Sequence, residues 1–147
     1  MTQRVYKILL VDDDLNCLDA IDQILQRDGY VTLKAEEGRP ALKLLSENTV
    51  DLAIIDFNLP DMDGIYILQQ IRRTYRNIPT IIMTSEHSRE VRIASLEAGA
   101  YSFITKPINI PSFRNIVAKA VQSLSTKTIE VRREFIFIKW FKDFTHK

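Results

Sequence analysis

At residues 53–64 the chain reads AIIDFNLPDMDG, which places a carboxylate at the end of an apolar strand. Leu52 to Ile55 are apolar or small, and a strand of that composition is expected to be buried on both faces. Asp56 follows directly, and a turn rich in proline and aspartate comes next. Because an ionised carboxylate is costly to bury without a partner, we expect a group at the end of this strand to pair with Asp56.

Short apolar runs alternate with helical patterns on both sides of this strand. Strands are predicted at 6–11, 30–35, 52–56, 79–85 and 101–105. Helices are predicted at 15–28, 39–48, 64–76, 89–100 and 109–124, with Gly29 placed to end the first and Asn109 to cap the last. Continuous apolar strands joined by crossover helices indicate an α/β fold with a parallel sheet covered on both faces.

Length and composition favour a single globular domain of the cytoplasm. The chain has 147 residues, 46% of them apolar and 27% charged, which is ordinary for a soluble protein. Its net charge of +1 gives no reason to expect nucleic-acid or membrane binding. Cys17 is the only cysteine, so no intramolecular disulfide can form, and neither a signal peptide nor a membrane-spanning run is recognised.

The carboxyl ends of four predicted strands carry polar residues. These residues are Asp12, Asp13 and Asp14 for the first strand, Asp56 for the third, Thr84 and Ser85 for the fourth, and Thr105 and Lys106 for the fifth. In an open parallel sheet these ends form one edge, and ligands bind there, where the strand order reverses. The pattern therefore predicts one crevice that holds several carboxylates, a hydroxyl group and an ammonium group.

Such a crevice needs a cation. Two carboxylates about 5 Å apart repel each other by roughly 3 kcal/mol at an effective dielectric constant of about 20. One lysine cannot offset three such groups, whereas Mg²⁺ prefers oxygen ligands and accepts a phosphate as a further ligand. We therefore expect an acidic Mg²⁺ pocket around Asp56, suited to hold a phosphoryl group.

Four motifs in this order resemble the receiver domain of bacterial two-component response regulators, of which the chemotaxis-type receiver is the single-domain form. They are ILLVDDD at 8–14, IIDFNLPDMDG at 54–64, IIMTS at 81–85 and FITKP at 103–107. Each motif alone is weak, but four in order at strand ends are specific, and the resemblance covers about residues 5–124. It implies a doubly wound, flavodoxin-like sheet of five parallel strands in the order 2-1-3-4-5.

The resemblance also implies roles for the residues of the crevice. Asp56 would accept a phosphoryl group from a sensor histidine kinase or a phosphotransfer protein, so the chain would be a signalling switch and not an enzyme. Mg²⁺ would be held by Asp13, by the Asp56 carboxylate and by the backbone carbonyl of Asn58. Asp12 would act on the ion through a water molecule.

Three further residues would carry the switch. Thr84 and Lys106 match the groups that bind the phosphoryl oxygens, and Phe103 stands at the position of the family's switch aromatic. The Lys106–Pro107 bond resembles one that is usually cis in the family. Phosphorylation would then alter the face formed by the fourth helix, the fifth strand and the fifth helix, where we expect a downstream protein partner.

Asn58 and Glu86 are predicted to tune the lifetime of the phosphorylated state. Each lies two residues past a site residue, and each has a side chain that can hydrogen-bond a water molecule. Hydrolysis of an acyl phosphate needs a water in line with the phosphorus. Neither side chain is bulky enough to seal the site, and the small Ser85 leaves it open, so a short-lived phosphorylated state is expected.

Two alternatives stay open from the sequence. Asp12 and Asp14 after a strand also occur in phosphatases of the haloacid dehalogenase superfamily, but Asn16 stands where threonine or valine is typical. In addition, no acidic pair follows Lys106, and Asp56 precedes the threonine-ended strand. The second alternative is a receiver-like module that binds partners without being phosphorylated.

Ordinary structural roles are predicted for the other polar candidates. Asp14 is expected to cap the first helix rather than to bind metal. Cys17 is expected to be a small buried apolar residue rather than a redox group. Asp61 and Asp63 are assigned to the turn and cap of LPDMDG and His87 to a loop, and His146 is given no role.

Residues 126–147 form an aromatic-rich extension beyond the predicted receiver domain of residues 1–125. Five of the thirteen aromatic residues lie in it, namely Phe135, Phe137, Trp140, Phe141 and Phe144. Disordered tails are poor in such residues, so we expect the extension either to pack back on the domain or to dock a partner, a second copy in a homodimer included. It is too short for a complete DNA-binding output domain, and no direct nucleic-acid binding is expected.

Overall fold

The computed structural model describes residues 4–75, 77–85 and 88–124. Its strands are β1 (Lys7–Val11), β2 (Val31–Ala35), β3 (Leu52–Asp56), β4 (Thr80–Thr84) and β5 (Ser102–Thr105). Its helices are α1 (Leu15–Arg27), α2 (Gly38–Glu47), α3 (Gly64–Thr74), α4 (Arg89–Glu97) and α5, which is described over 110–124. The predictions for Glu86, His87, His146 and the extension 126–147 concern residues outside the described ranges.

The sheet is parallel throughout, with its strands in the order β2-β1-β3-β4-β5. This topology confirms the predicted doubly wound α/β fold. From β1 the chain moves outward to β2 and then returns past β1 to β3, so the strand order reverses between β1 and β3. In an open sheet the ligand crevice lies at such a reversal, beyond the carboxyl ends of the strands.

Two apolar cores lie on opposite faces of the sheet. Side chains alternate along a strand, so in β1 Ile8 and Leu10 face one core while Leu9 and Val11 face the other, and all four are fully buried. The first core is covered by α1 and α5, and the second by α2 and α3. Because both faces are covered, the central strands are apolar almost to their last residue.

The helices begin and end close to the predicted positions. Gly29 follows α1 with φ of +90° and Gly99 follows α4 with φ of +99°, a left-handed conformation that glycine adopts without strain. Gly99 ends the helix predicted at 89–100, as its sequence indicates, and the regular helix α4 stops at Glu97. Within the described ranges, no helix combines the length and the apolar character that crossing a membrane would require.

Asp22 is a buried carboxylate on α1 that faces the edge strand β2. It accepts hydrogen bonds from the hydroxyl of Thr32 and from Nε2 of Gln26 at 2.9 Å, and its Oδ2 lies 3.1 Å from Nζ of Lys34. Burial alone would raise the pKa of Asp22, but these hydrogen bonds and the Lys34 ammonium outweigh it and hold the pKa below its ordinary value. Asp22 therefore ties α1 to β2 through an ionised group.

Asp22→Asn should lower the free energy of unfolding at neutral pH by about 1–2 kcal/mol, because the hydrogen bonds lose their charged acceptor. A carboxylate with a depressed folded pKa stabilises the fold above its unfolded pKa, and this contribution is lost as the pH falls through the folded value. The difference between wild type and variant should therefore persist from pH 7 to about 5 and shrink below about 4. Urea unfolding across this range measures the difference.

Asp19→Asn is the matched control on the same helix. The Asp19 side chain is 65% exposed and its Oδ1 lies 3.8 Å from Lys34 Nζ, so its removal should change stability little at any pH. Equal losses in the two variants, or a loss in Asp22→Asn that does not depend on pH, would contradict this account of Asp22.

Candidate functional site

An acidic pocket lies at the carboxyl ends of β1 and β3, where the strand order reverses. The parallel register pairs Val11 with Ile55. The residues that follow, Asp12 and Asp56, therefore come side by side. One carboxylate oxygen from each of Asp12, Asp13 and Asp56 lies within 4.8 Å of the others. Asp12 and Asp56 are 0% and 6% exposed, whereas Asp13 is at the surface.

Lys106 places its ammonium group between the two buried carboxylates. Its Nζ lies 2.7 Å from Oδ2 of Asp12 and 2.7 Å from Oδ2 of Asp56. Lys106 follows β5, its backbone N–H donates to the carbonyl of Thr84 at 2.8 Å, and its bond to Pro107 is cis, as the resemblance implied. The partner that the sequence requires for Asp56 is therefore Lys106.

Backbone N–H groups hold the other oxygen atom of each buried carboxylate. The N–H of Asp14 donates to Oδ1 of Asp12 at 3.0 Å, and the N–H of Asn58 donates to Oδ1 of Asp56 at 3.0 Å. No buried side-chain nitrogen or oxygen lacks a partner in the part of the chain that the structure describes. Both carboxylates are thus oriented from two sides by groups of the protein itself.

The two buried carboxyl groups have pKa values that move in opposite directions. Burial raises the pKa of Asp56 by more than Lys106 lowers it, and the neighbouring Asp12 carboxylate adds to the rise. Burial acts on Asp12 in the same sense, but hydrogen bonds from Lys106, the Asp14 N–H and Cys17, together with the charge of Lys106, outweigh it and lower the pKa of Asp12. At Lys106 the two ion pairs outweigh burial and raise the pKa, which keeps the ammonium group charged.

The donor set of this pocket fits a divalent cation such as Mg²⁺. The converging atoms are carboxylate oxygens, which Mg²⁺ prefers as ligands. Three carboxylates converge here, and the ammonium group of Lys106 pairs with two of them, so negative charge is left over that a bound cation would offset.

Thr84 and Phe103, the other predicted switch residues, lie on β4 and on the edge strand β5. Thr84 is the last residue of β4 and fully buried, and it follows Met83, which pairs with Asp56. Phe103 pairs with Ile82, is half-buried and packs against the second core. The structure thus places Thr84 at the same edge of the sheet as the pocket and Phe103 one strand further out.

Two aspartates near the pocket cap helices, as predicted. Asp14 accepts hydrogen bonds from the backbone N–H groups of Asn16 and Cys17 at the start of α1. Asp63 accepts one from the backbone N–H of Tyr66 at the start of α3. Both carboxylates therefore bind N–H groups at helix N-termini, which agrees with the expectation that they are not metal ligands.

Asp61 caps α2, a role that the sequence did not indicate. Its two carboxylate oxygens accept hydrogen bonds from the backbone N–H groups of Gly38 and Arg39, each at 2.8 Å, at the start of α2. The pattern LPDMDG assigns Asp61 to its own turn and gives no sign of this contact. The one available signal is Glu37, which precedes α2 in place of the short polar residues that usually cap helices.

A groove of about 450 Å³ adjoins the pocket, between α1 and the segment that follows β5. Its lining is mainly apolar and includes Pro107, Ile108 and Ile110, with Lys106 at the side of the pocket. Cys17 also lines it and is half-buried against the first core. Burial and the nearby Asp12 raise the pKa of Cys17 to about 12, so the thiol stays protonated at neutral pH, which supports a packing role.

Comparison with known proteins identifies the family. Residues 8–118 match the response regulator receiver domain. The chain is 34% identical over 113 residues to sporulation initiation phosphotransferase F of Bacillus subtilis, an alignment that covers 77% of this chain and 91% of that protein. The chain therefore belongs to the response regulator receiver domains, the phosphoryl-accepting switches of two-component systems.

Solved structures agree with this assignment. A CheY-like receiver domain protein from Methanospirillum hungatei matches with a TM-score of 0.81 at 30% identity, over 84% of this chain and 99% of that one. The response regulator TrrA of Thermotoga maritima, in complex with Mg²⁺-BeF, matches with a TM-score of 0.73 at 28% identity, over 79% and 99% of the two chains. Receiver domains bind Mg²⁺ at their acidic pocket, and these findings support the receiver interpretation rather than the phosphatase alternative.

Longer regulators share only part of their length with this chain. It is 32% identical over 136 residues to an Escherichia coli transcriptional regulatory protein, and it spans 31% of the length of that protein.

Lys106→Met should raise the pKa of both buried carboxyl groups, because the Lys106 ammonium group opposes the effect of burial on each of them. The pKa of Asp12 should move from below its ordinary value to above it. A carboxyl group whose pKa is higher in the folded state than in the unfolded state stabilises the fold less as the pH rises. Between pH 5 and 7 the free energy of unfolding of the variant should therefore fall relative to that of wild type. Carboxyl ¹³C shifts followed over pH in EDTA measure the pKa values directly.

Lys106→Arg retains the positive charge and is the control. Its Asp12 pKa should stay nearer to that of wild type. An Asp12 pKa that is the same in wild type and Lys106→Met would show that the ion pair does not govern the pocket.

Proposed function

We propose that Asp56 is the residue of this chain that accepts the phosphoryl group, with a sensor histidine kinase or a phosphotransfer protein as the donor. The setting of its carboxylate carries the proposal. Asp56 ends a fully buried strand, and its two oxygens are held by Lys106 Nζ at 2.7 Å and by the Asn58 N–H at 3.0 Å. The neighbouring Asp12 is completely buried, so Asp56 is the more accessible of the two oriented carboxylates.

The proposed reaction moves a phosphoryl group from a donor histidine nitrogen to a carboxylate oxygen of Asp56. A phosphorus–oxygen bond forms while the phosphorus–nitrogen bond breaks, and the imidazole leaves. The Lys106 ammonium lies beside the accepting carboxylate, where negative charge gathers on the transferred group, and it stabilises that charge. The chain acts in this reaction as an acceptor and a switch.

Asp13, Asp56 and the backbone carbonyl of Asn58 are proposed to hold Mg²⁺ directly, with Asp12 acting through a water molecule. Asp12 is completely buried, which favours an indirect role for it, whereas Asp13 lies at the surface. When bound, Mg²⁺ offsets charge on the carboxylates and orients the phosphoryl oxygens.

Incubation with acetyl phosphate and Mg²⁺ should add one phosphoryl group to the wild-type protein, and Asp56→Asn should abolish the adduct because the nucleophile is gone. Intact mass spectrometry measures the adduct. Chelation of Mg²⁺ by EDTA should reduce phosphorylation of wild type strongly, since the charge on the pocket is then uncompensated.

Asp51→Asn is the matched control, because Asp51 directly precedes the same strand and pairs with Arg4 at 2.7 Å, at the opposite edge of the sheet. This variant should be phosphorylated like wild type. A phosphoryl adduct that forms on Asp56→Asn at the wild-type level would rule out Asp56 as the phosphorylation site.

The switch is proposed to run from Asp56 through Lys106 and Thr84 to Phe103. Lys106 is shared between Asp12 and Asp56, so a phosphoryl group that draws the ammonium away weakens its pairing with Asp12. The Lys106 N–H is bonded to the Thr84 carbonyl, and Phe103 lies on the strand that leads to Lys106. A change of charge at Asp56 is thereby passed to β4 and β5 and shifts the balance between two conformations.

The face formed by α4, β5 and α5 is proposed as the docking surface for a downstream protein. Ile93 and Leu96 of α4 are 43% and 46% exposed, and Tyr101, just before β5, is 42% exposed. Exposed apolar side chains that cluster on one face favour a protein partner. A homodimer is proposed as a further assembly, through the extension 126–147.

Four points stay predictions. Asn58 is exposed beside Asp56, where it is proposed to tune the lifetime of the phosphorylated state together with Glu86. We also propose that the chain divides into a receiver domain at 1–125 and an extension at 126–147. The role of that extension and a cytoplasmic location are likewise proposals.

A further inference from the structure

We propose that Asp61 is a positioning residue for the acidic pocket, which fixes the loop 57–63 by binding the N-terminus of α2. The inference rests on the proposed metal and phosphoryl site, because this loop carries Asn58 and follows Asp56. Asp61 acts through the backbone of the loop and is not a ligand.

The N-terminus of α2 depends on Asp61 for its cap. Glu37, the residue at the N-cap position, makes no side-chain capping hydrogen bond. The first two N–H groups of the helix, from Gly38 and Arg39, donate instead to Oδ1 and Oδ2 of Asp61 at 2.8 Å each. A carboxylate that accepts two N–H groups at the positive end of a helix makes a strong, charge-assisted contact. This contact joins two separate parts of the fold.

Met62 adds a second contact between the loop and α2. A Cβ atom on Gly38 would lie 2.4 Å from Cγ and from Sδ of Met62, so the glycine leaves the space that the methionine fills. Met62 also packs against the second core. Two consecutive loop residues, Asp61 and Met62, are therefore seated against the first turn of α2.

The base of the loop is closed tightly, so a displacement at Asp61 reaches the pocket. Asn58 and Asp63 form an isolated antiparallel bridge, and the N–H of Gly64 donates to the carbonyl of Phe57 at 2.7 Å. A Cβ atom on Gly64 would lie 2.7 Å from the carbonyl oxygen of Asp56, which shows how closely the two ends of the loop approach. The backbone around Asn58 has little freedom to move independently of Asp61.

The segment that precedes α2 is itself tied to the other side of the pocket. The backbone N–H of Asp12 donates to the carbonyl of Ala35, the last residue of β2, at 3.1 Å. Residues 36 and 37 then lead directly into α2. A hydrogen bond thus joins the end of β1 to the end of β2, and two residues of chain join β2 to α2. The hydrogen bonds to Asp61 then join α2 to the loop that carries Asn58.

Asp61→Ala should raise the dissociation constant for Mg²⁺ about tenfold, the low end of the effect seen for residues that hold metal ligands in place. Titration calorimetry with MgCl₂ on the full chain measures this constant. In EDTA the same variant should also show faster amide hydrogen exchange over residues 57–63. Asp61→Asn keeps one acceptor oxygen and should fall between wild type and Asp61→Ala in both measurements.

Asn48→Ala is the matched control, because Nδ2 of Asn48 donates to the Leu44 carbonyl at 3.0 Å at the opposite end of α2. It should weaken the helix without changing the Mg²⁺ constant or the exchange of the loop. Equal constants and equal exchange in wild type and Asp61→Ala would overturn the positioning role, and so would an effect of the same size in Asn48→Ala. If wild type failed to bind Mg²⁺, the proposed metal site would be wrong. The amide hydrogen exchange of residues 57–63 would still decide whether Asp61 positions the loop.

Discussion

The ammonium group of Lys106, 2.7 Å from both Asp12 and Asp56, is the interaction on which the site depends. It lets two neighbouring parallel strands end in carboxylates that are almost completely buried. Lys106 follows β5, so its side chain reaches past the end of β4 to meet β3 and β1. The pocket can therefore form only when four strands of the sheet are assembled, which makes the site a consequence of the whole fold.

The same shared ammonium group gives the receiver a means to respond. Its Nζ lies 2.7 Å from an oxygen of Asp12 and 2.7 Å from an oxygen of Asp56, so the two carboxylates divide one cation between them. In the proposed switch, new negative charge on Asp56 alters that division and is passed to β4 and β5 through the backbone of Lys106. The chemistry at one strand end and the change on a distant face thus have one electrostatic origin.

Much of this arrangement could be predicted because a parallel sheet converts sequence pattern into proximity. Strands that alternate with helices have their carboxyl ends at one edge, so the positions of Asp12, Asp56 and Lys106 in the sequence already implied that they meet. The cap that Asp61 provides for α2 and the burial of Asp22 against β2 could not be predicted in this way. Each depends on which helix or loop lies beside which, and local sequence patterns carry no information about that.

The most direct test of the central claim is a crystal structure of the protein with Mg²⁺ and beryllium fluoride, a mimic of the phosphoryl group. We expect beryllium bonded to a carboxylate oxygen of Asp56 and Mg²⁺ bound by Asp13, Asp56 and the Asn58 carbonyl. Lys106 Nζ should lie within hydrogen-bonding distance of a fluorine. Beryllium fluoride on a different carboxylate, or Mg²⁺ outside this pocket, would contradict the central claim.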